Sequence, residues 1–231
     1  MKSGHCVSIN RKLCDLCGKC AGACPSDALV VVGKAVTPDE ILREIEKDIA
    51  FYDESGGGVT FSGGEPLMQP DFLNALLEGC RKRNIRTALD TCGYASWETV
   101  NRMKNKVDLF LYDIKFMDDR THKKYTGASN KLILRNFERL ADGGSSISIR
   151  LPIIPGVNDD TESVAKMAEF ALSHGVKQMC LLPYHRAGIE KYRSLDRPYK
   201  LENLRSPSDK KMQQIKEKLI TRGLDVRIGG G

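Results

Sequence analysis

The chain has 231 residues, enough for one sizeable domain and a small appendage. Its 41% hydrophobic and 29% charged content describes a globular protein, and no stretch approaches the ~18 apolar residues of a membrane span. The net charge of +6 is spread along the chain, with local clusters only at Arg81-Lys82-Arg83 and Lys210-Lys211, so nucleic-acid and membrane partners are not expected.

Residues 1–33 form a cysteine-rich appendage. Met1–His5 carries no apolar signal core. The run Cys14-Asp-Leu-Cys17-Gly-Lys-Cys20-Ala-Gly-Ala-Cys24-Pro25 is C-x2-C-x2-C-x3-C-P, the bacterial ferredoxin spacing for a 4Fe–4S cluster. Cys14, Cys17 and Cys20 can wrap one cubane. The fourth cysteine, Cys24, points to another cluster in two-cluster ferredoxins, which carry the run twice; here it occurs once. A zinc site would set two C-x2-C pairs well apart. A disulfide framework is disfavoured by four cysteines within eleven residues. Eight cysteines with an iron–sulfur motif place the chain in a reducing, anaerobic cytoplasm. Cys6 is either a surface thiol or a substitute cluster ligand. The appendage is expected to close with a short strand, Leu29-Val-Val-Val32, and Gly33.

Residues 34–231 read as a second domain. Thr37-Pro-Asp-Glu40 opens a helix with Thr37 as N-cap, Pro38 at the first helical position and Glu40 completing a capping box. Ile41, Ile45, Ile49 and Tyr52 mark its buried face. After Gly56-Gly57-Gly58, short apolar strands alternate with amphipathic helices. The strands fall at 59–61, 87–89, 108–112, 147–149, 179–182 and 226–228. The helices carry Phe72 to Cys80, follow Ser96, lie near 131–141, carry Val164 to Leu172, and run near 209–222 after Ser208. This alternation implies parallel βαβ units, and six strands suit a partial TIM-like (β/α) barrel in an α/β fold. In such barrels the chemistry sits where strands end.

Five consecutive strand ends then bring polar groups to one rim. They are Ser62-Gly63-Gly64-Glu65-Pro66, Asp90-Thr-Cys92-Gly93, Asp113-Ile-Lys115, Arg150 with Pro152-Ile-Ile-Pro155-Gly156, and Pro183-Tyr-His185. Singly, Gly63-Gly64 reads as a turn, Asp113 with Lys115 as a structural ion pair, and His185 as a structural histidine. Together they read as one ligand site. Adjacent glycines let a ligand approach the backbone. Glu65 can meet an amine, and Arg150 suits a carboxylate or hydroxyl. With Lys115 the set fits a zwitterionic, amino-acid-like ligand bearing a polar sugar. Cys80 and Cys180 read as core residues. Cys92 at the rim has no assigned role.

These motifs, with His122 and Tyr125-Thr-Gly127, resemble those of glycyl-radical-enzyme activating enzymes of the radical S-adenosylmethionine superfamily. The match runs from Cys14 to the C-terminus, and the ferredoxin run resembles half of that family's two-cluster insert. The resemblance implies that a reduced 4Fe–4S cluster holds S-adenosyl-L-methionine, that one electron cleaves its sulfonium, and that the radical so formed takes a hydrogen atom from a glycine of a partner glycyl radical enzyme. It implies that Gly63, Gly64 and Glu65 meet the methionine amino group, that Lys115, Arg150 and His185 contact the rest of the cofactor, and that Asp90 and Asp113 bind a monovalent cation. An electron donor such as flavodoxin or ferredoxin is a further implied partner. The family holds its cofactor cluster through C-x3-C-x2-C, which this sequence does not contain, since position 27 after Cys20-x3-Cys24 is Asp27. The chain is therefore expected to be an N-terminally shortened member, without the first barrel strand, the catalytic cysteines and the first ferredoxin half. The competing reading is a non-catalytic iron–sulfur electron-transfer or partner-binding module.

Overall fold

The computed structural model describes residues 9–195, 197–199 and 201–229. Two compact units part between Thr37 and Pro38.

The first unit holds one helical turn, α1 (Lys19–Gly22). Leu29–Val32 is not a strand: a strand needs a partner's hydrogen bonds, and among the described residues none pairs with it. Val30, Val31 and Val32 are exposed instead, as are Leu13 and Leu16.

The second unit begins with α2 (Pro38–Glu46) and α3 (Ile49–Ser55). The single helix expected through Tyr52 is broken at Lys47-Asp48, whose N–H groups turn back to Glu44 and Ile45 through i→i−3 bonds. Leu42 and Ile45 are buried, while Ile41, Ile49 and Tyr52 pack half-buried against the core.

Six strands and the helices between them follow. They are β1 (Gly58–Phe61), α4 (Pro70–Lys82), β2 (Arg86–Thr91), α5 (Trp97–Lys104), β3 (Leu109–Asp113), α6 (Asp119–Thr126), α7 (Lys131–Asp142), β4 (Ile147–Ile153), α8 (Thr161–Ser173), β5 (Gln178–Pro183), α9 (Gly188–Ser194), α10 (Asp209–Ile220) and β6 (Asp225–Ile228). The strands form one parallel sheet in sequence order, with β1 and β6 at its edges. This is the partial (β/α) barrel expected from the alternation.

Burial alternates along each central strand because successive side chains point to opposite faces. Leu89, Phe110, Tyr112, Ile149, Leu151, Met179 and Leu181 face the helices and are almost fully buried. Asp90, Leu111, Asp113, Ser148, Arg150 and Cys180 occupy the other, concave face and are half-buried. Ser96, Asp160 and Ser208 cap their helices through side-chain oxygens. Two helices, α6 and α9, lie in segments where the sequence pattern marked no helix. No described helix is long and apolar enough to cross a membrane.

Candidate functional site

β4 runs on through Leu151-Pro152-Ile153, so Arg150 lies within the strand rather than at its end. The extension tolerates Pro152 for a topological reason. The β3–β4 ladder stops at Asp113–Arg150, and the carbonyl of Arg150 accepts from Ile114 N on the β3 side. Pro152, two residues on, faces the same side past the end of that ladder, where its missing N–H costs nothing.

This placement makes a cross-strand row of Asp113, Arg150, Cys180 and Arg227. Arg150 reaches along the concave face: Nη1 pairs with Asp90 Oδ2, and Nε lies 3.7 Å from Asp113 Oδ1. Lys115 Nζ lies 3.1 Å from Asp113 Oδ2. Ser62 Oγ donates to Asp90 Oδ2 at 2.9 Å. The ends of β1, β2 and β3 and the middle of β4 are thus joined in one cluster of two carboxylates and two cations. A cavity of about 240 Å³ adjoins it, lined by Leu111, Ser148, Arg150, Cys180, Arg227 and Gly229 among others. Cys180 is half-buried here rather than in the core, and its thiol donates to Gly229 O at 2.7 Å.

Beside the cluster, Ser62, Gly63 and Gly64 are exposed. Gly63 has φ +132°, a conformation side chains rarely adopt, and a Cβ at Gly63 or Gly64 would meet nothing within 4 Å. The space beside that backbone is open to a ligand. Glu65, next in the chain, is held by four hydrogen bonds. Its Oε1 accepts from Leu67 N (3.2 Å) and Thr91 Oγ1 (2.5 Å), and its Oε2 from Cys92 N (2.9 Å) and Cys92 Sγ (3.0 Å). Four donors fill a carboxylate's acceptor capacity. Glu65 ties the glycine loop to the end of β2. Burial first, and then this carboxylate, push the Cys92 thiol up to about 11.

His185 lies past β5 and is exposed, with Nδ1 accepting from Ala187 N at 3.3 Å. No described bond joins it to the Arg150 cluster. His122 is buried, and its Nδ1 donates to Ala128 O at 2.8 Å, closing the end of α6. The sequence reading missed Ser62, Thr91 and Asn158 as site residues. Asn158 Nδ2 donates to the carbonyls of Lys115 (3.1 Å) and Pro152 (2.7 Å), fixing Lys115 against β4. The asparagine two residues after Pro155-Gly156 was the available signal.

In the first unit Cys14, Cys17 and Cys20 are exposed and Cys24 is half-buried, all as free thiols. Hydrogen bonds from the Ser26 hydroxyl and from nearby backbone N–H groups bring Cys24 down to about 7. Leu16, between two of the cysteines, has φ +59° yet is 82% exposed, so no packing of its side chain offsets the strain. Free thiols in a strained, solvent-facing loop fit a cluster that would give this unit its core. Among the described residues no three or more Cys, His, Asp or Glu side chains are yet gathered as a ligand set. Cys6 lies outside the described residues. At the rim, Asp113 Oδ1 is buried without a hydrogen bond, which fits a cation.

A barrel with an open glycine loop and a charged rim, in a chain that also carries a ferredoxin-type cysteine run, defines a radical S-adenosylmethionine protein. The Radical SAM superfamily model matches residues 19–168, and the 4Fe-4S binding domain model matches residues 7–30. The trans-4-hydroxy-L-proline dehydratase activating enzyme of Clostridioides difficile is 41% identical over 97% of this chain and 85% of its own length. The isethionate sulfite-lyase activating enzyme of Nitratidesulfovibrio vulgaris is 47% identical over 83% of this chain and 63% of its own. A crystal structure of a domain of pyruvate-formate lyase-activating enzyme from Bacteroides vulgatus is similar at a TM-score of 0.64 and 36% identity, covering 75% of this chain and 99% of that one. The chain belongs to the glycyl-radical-enzyme activating enzymes of the radical SAM superfamily. Its two family models imply 4Fe–4S clusters and S-adenosylmethionine as cofactors.

Proposed function

We propose that this chain binds S-adenosylmethionine on its concave rim and serves in forming a glycyl radical on a partner enzyme. The observation that carries the reading is the open Gly63–Gly64 backbone standing beside the Asp90–Arg150–Asp113–Lys115 cluster. With both bound, a reduced 4Fe–4S cluster would supply the electron for cleaving the sulfonium, and the cofactor would supply the means of taking hydrogen from a glycine of the partner. The residues of this chain bind and orient. The Gly63 and Gly64 backbone would take the methionine ammonium, whose donors need carbonyl acceptors. Lys115 and Arg150 would neutralise the carboxylate, and His185 would meet the nucleoside end if its loop closes. Asp90 and Asp113 would hold a monovalent cation. Glu65 acts through Thr91 and Cys92 to keep the glycine loop in place.

Cys14, Cys17, Cys20 and Cys24 would ligate an accessory cluster that receives electrons from a flavodoxin or ferredoxin in an anaerobic cytoplasm. The sequence holds no C-x3-C-x2-C, so none of its residues is assigned to the cluster that cleaves the cofactor. We therefore infer that this sequence acts when joined to a segment bearing that run. The alternative, an electron-transfer module without catalysis, would need the cysteine run but not the rim.

The test joins this sequence to a C-x3-C-x2-C segment from an activating enzyme. The product is reduced with S-adenosylmethionine and a panel of glycyl radical enzymes, namely hydroxyproline dehydratase, isethionate sulfite-lyase and choline trimethylamine-lyase. A glycyl radical signal by electron paramagnetic resonance on one of them supports the proposal. Cofactor binding without a radical on any partner counts against the partner reading. No cofactor binding counts against the rim.

A further inference from the structure

Beyond the β3–β4 ladder the backbone is held by side chains. That ladder stops at Asp113–Arg150, and Ile114 N donates to Arg150 O. Pro152 has no N–H with which to continue it, so the carbonyls that follow need other donors. Two buried asparagines supply them. Asn158 Nδ2 donates to Lys115 O (3.1 Å) and Pro152 O (2.7 Å), while its Oδ1 accepts from Ile154 N at 2.7 Å. Asn130, just before α7, donates from Nδ2 to Phe116 O (2.9 Å) and Met117 O (2.8 Å). Three successive carbonyls, of Lys115, Phe116 and Met117, are thus taken by side-chain amides from two different loops. Ile114 and Phe116 are buried on either side of Lys115, and the Phe116 ring stacks on Tyr125 with centroids 5.5 Å apart. Lys115, between them, projects to the rim, its ammonium 3.1 Å from Asp113 Oδ2.

We infer that Asn130 and Asn158 are positioning residues for Lys115, and that through it they set the rim's preference for a ligand bearing a carboxylate. The inference rests on the reading above, in which Lys115 meets the carboxylate of S-adenosylmethionine. Both asparagines are buried, so they act on the ligand through the lysine and not by contact. A lysine on a free loop must order backbone and side chain together when it binds. One on a pinned backbone has only its side chain left to order. The amide is the group this task requires, because its two N–H donors reach two carbonyls at once, and a carboxylate has none.

The experiment compares S-adenosylmethionine with its decarboxylated analogue by equilibrium dialysis against this chain and its variants. Asn158→Ala should weaken binding of S-adenosylmethionine about tenfold, and that of the analogue less than about twofold. Lys115→Ala should show the same selectivity. Asn158→Ala/Lys115→Ala should lose no more than Lys115→Ala alone, as residues acting through one another do. Equal weakening of both ligands, or additive losses in the double variant, would show a merely structural role and overturn the inference. Hydrogen exchange without ligand separates this outcome from the cofactor reading. Amides of residues 114–118 should exchange about tenfold faster in Asn158→Ala, with those of β2 and β5 unchanged. Unaltered exchange at 114–118 would overturn the clamp whatever the ligands do. If the unmodified chain binds neither ligand, the cofactor reading fails, and the exchange result alone decides the clamp. If Asn158→Ala does not fold, as read by circular dichroism, Asn130→Ala leaves the Asn158 bonds in place and should show a loss of about threefold or more, selective for S-adenosylmethionine.

Discussion

Asp113 and Arg150 are registered partners across the β3–β4 ladder, so their side chains rise from the same row of the concave face. Through this row Arg150 can reach Asp90, one strand further away, as well as Asp113. The candidate site is therefore organised from inside the sheet as much as from the loops at its end.

The glycines of the site separate packing from function. A Cβ on Gly64 meets open space, whereas one on Gly93 would lie 1.8 Å from the hydroxyl of fully buried Tyr112, at a backbone φ of +68°. Gly64→Ala is expected to change unfolding free energy by less than about 0.5 kcal/mol. It should weaken S-adenosylmethionine binding by about tenfold or more in the protein joined to its C-x3-C-x2-C segment. Gly93→Ala should cost about 3 kcal/mol through overpacking and backbone strain. Urea denaturation and equilibrium dialysis measure the two effects. Equal stability losses in both variants would contradict the assignment of Gly64 to the ligand.

Much of this was legible in the sequence. The six strands, their parallel pairing and the partial barrel followed from apolar alternation, and the sequence shows polar residues after each strand. The position of Arg150 was not, because Pro152 reads as a strand stop unless one knows that β3 has already ended beside it. The hydrogen bonds of Glu65 were hidden for a similar reason. Its four donors come from residues 67, 91 and 92, and the last two are brought close only by the pairing of β1 with β2. Helix α6 escaped notice since it buries only His122, though its caps, Asp118 and Gly127, were visible. Leu29–Val32 has strand composition but no described partner.

Glu65→Ala leaves Leu67 N, Cys92 N and the Thr91 hydroxyl without their acceptor. We expect a loss of about 1–3 kcal/mol in unfolding free energy, the cost of unsatisfied donors in a half-buried site. Glu65→Gln should recover only part of it, as one acceptor oxygen becomes a donor facing donors. A loss below about 0.5 kcal/mol for Glu65→Ala, within the range of ordinary surface changes, would show that these bonds do not hold the loop.

The thiol of Cys92 provides a pH test. Only the thiolate is alkylated, and a raised pKa keeps the thiol protonated to higher pH. Alkylation of Cys92 should therefore rise with pH and reach half its maximum near about 11 rather than near 9.0. Replacing Glu65 by Gln removes the negative charge and should move that midpoint down. Peptide mapping after iodoacetamide treatment across pH reads both. A midpoint at or below 9.0 in the unmodified chain would contradict the Cys92–Glu65 contact.

Cluster content tests the cysteine run. Cys14, Cys17 and Cys20 can serve one cubane, and Cys24 has no second C-x2-C-x2-C to join. Anaerobic reconstitution should give no more than about four irons per chain, labile to chelators. Reproducible recovery of about eight, two cubanes' worth, would refute the assignment.

The central claim is that this sequence supplies the rim that binds and orients S-adenosylmethionine, and that cleavage needs a C-x3-C-x2-C it does not contain. Chromatographic detection of 5′-deoxyadenosine under anaerobic, strongly reducing conditions tests it most directly. The sequence alone should form none. Joined to a C-x3-C-x2-C segment it should turn over, and Lys115→Ala in that protein should abolish the product by removing the cation beside Asp113. Formation of 5′-deoxyadenosine by the sequence alone, lost on Lys115→Ala, would show that the cleaving cluster resides within these 231 residues and contradict the account.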